Sequence, residues 1–203
     1  MYIPKIYKSE DSELMKKIIS ENGFALLITG KEKLSATHSM FLLNENENGF
    51  YLETHISKGN FQAKVLQNGD EVLCDFLGAH AYISSSWYDH ENVSTWNYEA
   101  VQIRGTVELM TDEELYEHLR KLTFKYEKIQ KCPVFMENMG DEFVREEMKG
   151  AFGLMIIPTE MFIVQKLSQN RKEEDFKNII SQLENGDENE REIAKKMKRI
   201  NKF

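Results

Sequence analysis

The feature that most constrains this chain is a set of six or so short extended segments interleaved irregularly with helices. Extended runs are expected at residues 24–29, 34–43, 50–55, 71–77, 98–110, 152–157 and 161–165, the last two broken by Pro158-Thr159. Residues 50–55 alternate cleanly, with Tyr51, Glu53 and His55 on one side and Phe50, Leu52 and Thr54 on the other. The polar, Gly-ended stretch 44–49 before them has the length of a hairpin loop.

Helices are expected at 9–20, where Leu14, Ile18 and Ile19 share a side and Asn22-Gly23 is the stop, and at 57–66 and 142–148. Another opens on a capping box formed by Thr111 and Glu114 and runs to about residue 130. Near the C-terminus, Phe176, Ile179, Ile180 and Leu183 make a helical stripe that ends at Asn185-Gly186. A second capping box, Asp187 with Glu190, precedes Ile193, Met197 and Ile200. Because strands and helices do not alternate as βαβ units, the pattern implies an α+β protein with an antiparallel β-barrel core and peripheral helices. Residues 1–171 form the barrel domain in this reading. Residues 172–203 form a charged C-terminal helical extension packed on or near it.

Composition narrows the functions. The chain has 203 residues, 41% of them hydrophobic, enough for one cored domain, or one with an appendage. The net charge of −8 opposes tight non-specific DNA binding, which needs a Lys/Arg footprint on the phosphates. A local basic cluster, Lys195, Lys196, Lys198 and Arg199, leaves DNA contact open, although a solvated helix end is the plainer reading. Two distant cysteines, Cys74 and Cys132, provide neither a disulfide framework nor a four-ligand zinc site. With no signal peptide and no apolar run long enough for a membrane span, a cytoplasmic, membrane-free protein is expected by elimination. The five histidines show no HExxH or similar spacing, so no metal site is expected. GxSxG, Walker and GxGxxG motifs are absent.

Three stretches carry candidate chemistry. At Thr54-His55-Ile56-Ser57-Lys58-Gly59-Asn60 a strand runs into a helix, with Ser57 at the N-cap position and Lys58 and Asn60 in the first turn. Free N–H groups, the helix dipole and a lysine would cradle a monophosphate, while an ordinary cap with a solvated lysine fits as well. Residues 80–88, an aromatic and serine-rich loop, together with Thr95-Trp96-Asn97-Tyr98, bring both tryptophans within ten residues. Aromatic faces with hydroxyls and an amide suit a flat conjugated ligand or an interface, or else a satellite hydrophobic cluster. Lys166-Leu167-Ser168-Gln169-Asn170-Arg171, after the last strand, is either a plain surface loop or a ligand clamp held by the barrel.

Together these stretches resemble the PaiB family, described as FMN-binding negative transcriptional regulators. Met1-Tyr2-Ile3-Pro4 resembles the family's opening, and Ala36-Thr37-His38 its strand motif. His55-Ile56-Ser57-Lys58-Gly59-Asn60 resembles its H-x-x-R-x-N segment. Gly78 to Ser84 with Ser86-Trp87-Tyr88, and Thr95-Trp96-Asn97-Tyr98, match its most specific stretches, and Lys166 to Arg171 its K-L-S-Q-N-R signature in full.

The resemblance implies a Greek-key split barrel of the FMN-binding type, related to pyridoxamine-phosphate oxidases and flavin reductases, working as a homodimer with FMN at the subunit interface. On that reading Ala36, Thr37 and His38 run beside the flavin and ribityl chain. Thr54, His55, Ser57, Lys58 and Asn60 take the phosphate. Trp87, Trp96 and Asn97 lie near the isoalloxazine or the dimer contact. Lys166, Ser168, Gln169, Asn170 and Arg171 approach the flavin from the partner subunit. Lys58 stands where the family pattern has Arg, which weakens the phosphate grip because an ammonium cannot bind bidentately. Ser85 stands where it has Pro, and Gln102 and Arg104 where it has a His and an aromatic residue. Function divides three ways: a flavin-linked negative transcriptional regulator, an FMN-dependent oxidoreductase whose chemistry the cofactor would carry, or a barrel holding another flat ligand such as haem, with His38 or His55 as axial ligand.

Overall fold

The computed structural model of the chain describes residues 1–47 and 49–200. Residue 48 of the expected polar turn and residues 201–203 of the expected extension lie outside the described residues. The strands are β1 (Lys8–Ser9), β2 (Phe24–Thr29), β3 (Ser35–Asn46), β4 (Gly49–Ser57), β5 (Glu71–Ile83), β6 (Thr95–Leu109) and β7 (Ala151–Lys166). They form one sheet in the order β1-β7-β4-β3-β2-β5-β6. After the β2-β3-β4 meander the chain returns through the short helix α2 (Phe61–Val65) to set β5 beside β2, which is a Greek key.

A further pairing of β7 with β6 closes β2 to β7 into an antiparallel six-stranded barrel, with β1 as an extra strand on β7. Closure leaves the barrel strands without unpaired edges. Gly105 permits the close approach: a Cβ there would sit 2.5 Å from Ile156 Cγ2 and 2.6 Å from the Ile157 carbonyl oxygen. The fold class expected from the sequence is the one observed.

The chain divides into two compact units. One comprises Gly23–Asp75 and Ile103–Met161. Its core includes Leu27, Phe41, Leu52, Leu154 and Ile156, all fully shielded from solvent. Each such side chain contributes roughly 1.5–3 kcal/mol of burial. This unit also holds α3 (Asp112–Glu127) and α4 (Asp141–Met148), with their own cluster of Leu115, Met136, Val144 and Met148. The Thr111–Glu114 capping box forms as expected: Glu114 N donates to Thr111 Oγ1 at 3.2 Å, and Thr111 N donates to Glu114 Oε2 at 2.8 Å.

The other unit comprises Met1–Asn22, Phe76–Gln102 and the described residues from Phe162 onward. It contains α1 (Ser12–Glu21), α5 (Glu173–Glu184) and α6 (Glu188–Arg199). The expected stripe of Phe176, Ile179, Ile180 and Leu183 is buried with Ile193 and Met197 of α6, in one cluster with Ala81, Ile83, Tyr88 and Leu167.

Local expectations shift in four places. Helix α1 starts at Ser12 rather than residue 9, because the Asp11 carboxylate accepts from Glu13 N and Leu14 N at 2.9 and 3.1 Å and is the true cap. Residues 152–165 form one strand instead of two. Pro158 falls between the β4 register, ending at Ile156, and the β1 register at Ile163, where a missing N–H is tolerated. Residues 80–83 of the expected aromatic loop continue β5. Finally, β4 runs through Ser57 and α2 has only five residues, with consequences for the site. Cys74 is buried, and burial pushes its thiol pKa far up, so the thiol is inert; Cys132 is exposed. Among the described residues no helix is long and apolar enough to cross a membrane.

Candidate functional site

The 54–60 segment departs from the expected phosphate cradle. Ser57 is a strand residue, and the cap of α2 is Asn60, whose Oδ1 accepts from Gln62 N at 2.9 Å. The backbone donors expected to be free are already used. Lys58 N donates to the Gly150 carbonyl at 2.8 Å, Asn60 N to the Ser57 carbonyl at 2.9 Å, and Gly59 N to Ser57 Oγ at 3.2 Å. The turn is therefore held by strand β7 and by its own serine. Its charge is the exposed side chain of Lys58.

Asn60 has a second task. Its Nδ2 donates to Thr37 Oγ1 at 2.8 Å, and Thr37 in turn bonds Gln62 Oε1. Gln62, fully buried, extends its Nε2 to the Leu27 carbonyl at 3.1 Å. Thr37, Asn60 and Gln62 thus form one network that fixes α2 against β2 and β3. Gln62 was not anticipated; the signal is a lone amide in the apolar run Phe61 to Leu66. Lys33, also unanticipated, lies over the Phe61 ring at 3.9 Å, at the start of α2.

Alternation separates the neighbours of these residues. His38 projects from β3 opposite to Thr37, and its ring stacks on exposed Phe24, with centroids 5.5 Å apart and planes at 23°. The pair is a flat, open platform, next to exposed Ala36. Thr54 is fully buried, with Oγ1 2.8 Å from Ser39 Oγ and 2.9 Å from the Met40 carbonyl, so its hydroxyl is committed to the barrel. His55, next in the strand, turns to the other face and meets His118 of α3.

In the other unit the Lys166–Arg171 signature folds into a tight turn. Ser168 has a φ of 61°, rare for a residue with a side chain, and is nearly fully buried. Its Oγ lies 3.0 and 3.2 Å from Nδ2 and Oδ1 of Asn97, a wholly buried amide. Gln169 folds back to accept from Leu167 N at 2.7 Å. Arg171 places its guanidinium 4.9 Å from the centre of the Tyr88 ring, and Asn170 is exposed. Lys166 bonds Thr95; burial and the nearby Arg171 hold its pKa below the ordinary lysine value. Trp96 lies opposite to Asn97 on β6, half exposed against His80 and Tyr82, while Trp87 packs on the helical cluster. The structure thus joins Asn97 to Ser168 and parts both from Trp96.

The basic cluster of α6 is largely neutralised. Lys196 turns inward to Glu99 Oε2 at 2.6 Å, a charge contact without hydrogen-bond alignment. Lys195 pairs with Glu192 at 3.3 Å and Lys198 with Glu184. A cavity of about 680 Å³ in this unit is lined by Asn22, Gly78, His80, Glu192 and Lys195 among others, and none of the expected flavin residues lines it. Among the described residues, one trio has metal-ligand character that spacing did not reveal: Asp89, His90 and Asp175, with ligand atoms within 4.8 Å of one another. The near-buried Asp175 carboxylate accepts from Asp89 N at 3.4 Å in the first turn of α5.

Comparison with known proteins agrees with this architecture. Residues 1–160 match a protein family described as "Putative FMN-binding domain". The chain is 39% identical over 186 residues to protease synthase and sporulation protein PAI 2 of Bacillus subtilis, covering 91% of this chain and 90% of that one. Among solved structures it superposes on an FAD and heme binding protein from Mycobacterium smegmatis, with TM-score 0.61 and 14% identity over 84% of this chain and 79% of that one. It also superposes on the flavocytochrome Anf3 from Azotobacter vinelandii, with TM-score 0.55 and 17% identity over 87% and 78% of the two chains. At these identities the structural matches speak for the barrel fold alone.

Proposed function

As the chain belongs to the PaiB-like family of FMN-binding domains, we propose that it binds FMN and acts as a flavin-linked negative regulator. The observation that carries the reading is the conjunction on β2, β3 and α2. The flat Phe24–His38 platform lies on the same strand pair that Thr37, Asn60 and Gln62 lock to the turn bearing exposed Lys58.

In this reading the platform and Ala36 accept the isoalloxazine and ribityl portions. Lys58, with Ser57 and Asn60, meets the phosphate through side chains, since the backbone donors of the turn are spent. Lysine gives a point charge rather than a fork, so its phosphate contact is weaker than a bidentate arginine's would be. Asn97 and Ser168 hold the signature turn from behind, which leaves Lys166, Gln169, Asn170 and Arg171 as its ligand-facing candidates. Two copies of the chain share the cofactor, with Trp87 and Trp96 near the ring or the contact between copies. FMN bound, when present, would supply redox chemistry. The chain's residues bind, orient and shield it.

Regulation in this proposal does not run through phosphate contacts of α6, because Lys195, Lys196 and Lys198 are paired with carboxylates and the chain carries a net charge of −8. The decisive experiment is a visible spectrum of the purified protein after adding FMN and removing the excess. A retained flavin spectrum is expected, and light scattering should give twice the chain mass. A colourless protein that ignores FMN overturns the proposal.

A further inference from the structure

Residues 53 and 55 project from the same face of β4, and residues 118 and 121 from the same face of α3; the two pairs meet. Glu53 Oε1 lies 3.1 Å from Lys121 Nζ, Glu53 Oε2 lies 3.4 Å from His118 Nδ1, and His118 Nε2 lies 3.0 Å from His55 Nδ1. Glu53 and His118 are buried. Burial pushes the Glu53 carboxyl up, but hydrogen bonds from His118 and Lys121 outweigh it and hold its pKa below the ordinary value.

Tautomers follow from this order. An ionised carboxylate only accepts, so His118 donates through Nδ1. Lys121 already supplies the cation that faces Glu53, and with Nδ1 of His118 turned to that carboxylate, its Nε2 is assigned as the acceptor toward His55. His55 therefore donates through Nδ1, and its Nε2 keeps a lone pair. That ring lines a cavity of about 230 Å³ whose walls include Met136, Met139, Phe143, Val144 and Met148. With Nδ1 committed to His118, Nε2 is the polar atom His55 offers there.

We propose that this cavity binds a small neutral aromatic molecule with one hydroxyl, of the phenol class, whose hydroxyl donates to His55 Nε2. The volume is of fragment size: an apolar cavity of about 150 Å³ holds benzene, and drug-sized ligands take about 300 Å³ or more. Three thioethers on the wall favour an aromatic ring over an aliphatic chain. Glu147 at the rim and Glu53 behind the two imidazoles disfavour an anion, so the polar group is a neutral donor. The site stands independently of the flavin reading.

The test uses the full chain with phenol and toluene, which differ by the donor while keeping nearly the same shape. Calorimetric or NMR titration should show phenol binding at least tenfold more tightly than toluene. His55→Leu should remove that preference and leave toluene binding unchanged. Ring ¹⁵N shifts should report both His55 and His118 as Nδ1–H tautomers. Equal affinities, no binding of either molecule, or an Nε2–H tautomer at His55 overturns the proposal. Should His55→Leu fail to fold, the wild-type phenol-to-toluene ratio and the tautomers decide it. Phenol binding without FMN binding, or the reverse, separates this site from the flavin one.

Discussion

Lys196 of α6 and Glu99 of β6, both within 10% of full burial, face each other across 2.6 Å. Gln165 adds a hydrogen bond to the other carboxylate oxygen at 2.7 Å. A residue that sequence reading assigns to a solvated basic helix end is instead an anchor of that helix.

Removing one partner strands the other charge in a dry environment. Lys196→Ala should lower stability by about 3–5 kcal/mol, as typical for breaking a buried pair. The double variant Glu99→Gln with Lys196→Met should recover most of that loss. Urea unfolding of the single and double variants measures both. Equal stability of Lys196→Ala and the parent would show that the pair is not buried in solution.

Ser168 holds a left-handed backbone conformation and satisfies the buried amide of Asn97. Ser168→Ala keeps the Cβ and removes the hydroxyl, so the expected loss is about 1–3 kcal/mol from an unsatisfied buried amide. Asn97→Ala removes the other partner and should cost less than the sum when combined with it. A double-mutant cycle by chemical denaturation supplies the coupling.

Lys58 is the cation proposed for the flavin phosphate. Lys58→Ala should weaken FMN binding about tenfold or more, each factor of ten being about 1.4 kcal/mol, with unfolding stability unchanged because the side chain is exposed. Lys58→Arg should tighten binding through a bidentate contact. Fluorescence titration of FMN tests both, and an unmoved Kd for Lys58→Ala would remove the phosphate assignment.

Acid should weaken the 103–161 and 23–75 unit through His55. Burial and the neighbouring His118 depress its pKa to about 4. A folded-state pKa below the unfolded one means that the unfolded chain takes up the proton first. The stability His55 contributes is complete above about pH 6.5 and is lost as pH falls toward 4. Glu53, held below its ordinary pKa, adds to the loss at the acid end of this range. His55→Leu should flatten the pH dependence of the unfolding midpoint between pH 6.5 and 5; an unchanged slope would place the acid sensitivity elsewhere.

Much of the fold was legible because it is written in local periodicity. Strand β2 spans the run that reads as extended in the sequence, and both capping boxes form where their residues predict. The stripe of α5 is buried as its 3.6-residue spacing requires. Segment 57–66 misled because a Ser before a Lys and an apolar run has the form of a helix start. Pairing of Ser57 with Ala151 of β7 instead carries the strand onward and delays the helix to Asn60. No local rule reports a strand partner some ninety residues away.

The same division holds for the candidate sites. The sequence by itself determined the barrel class, the helices that open on capping boxes and the family to which the chain belongs, since periodicity, capping chemistry and ordered motifs are properties of neighbouring residues. Tertiary structure alone decided that Thr37, Asn60 and Gln62 share one network, that Lys196 is buried on Glu99, and that Glu53, His118 and His55 line up behind a cavity. Each of these joins residues between 23 and 97 positions apart, and their meeting depends on strand register and helix packing. Which face a polar side chain takes is settled by burial summed over the whole fold, and a pairwise contact of that range leaves no periodic trace in the chain.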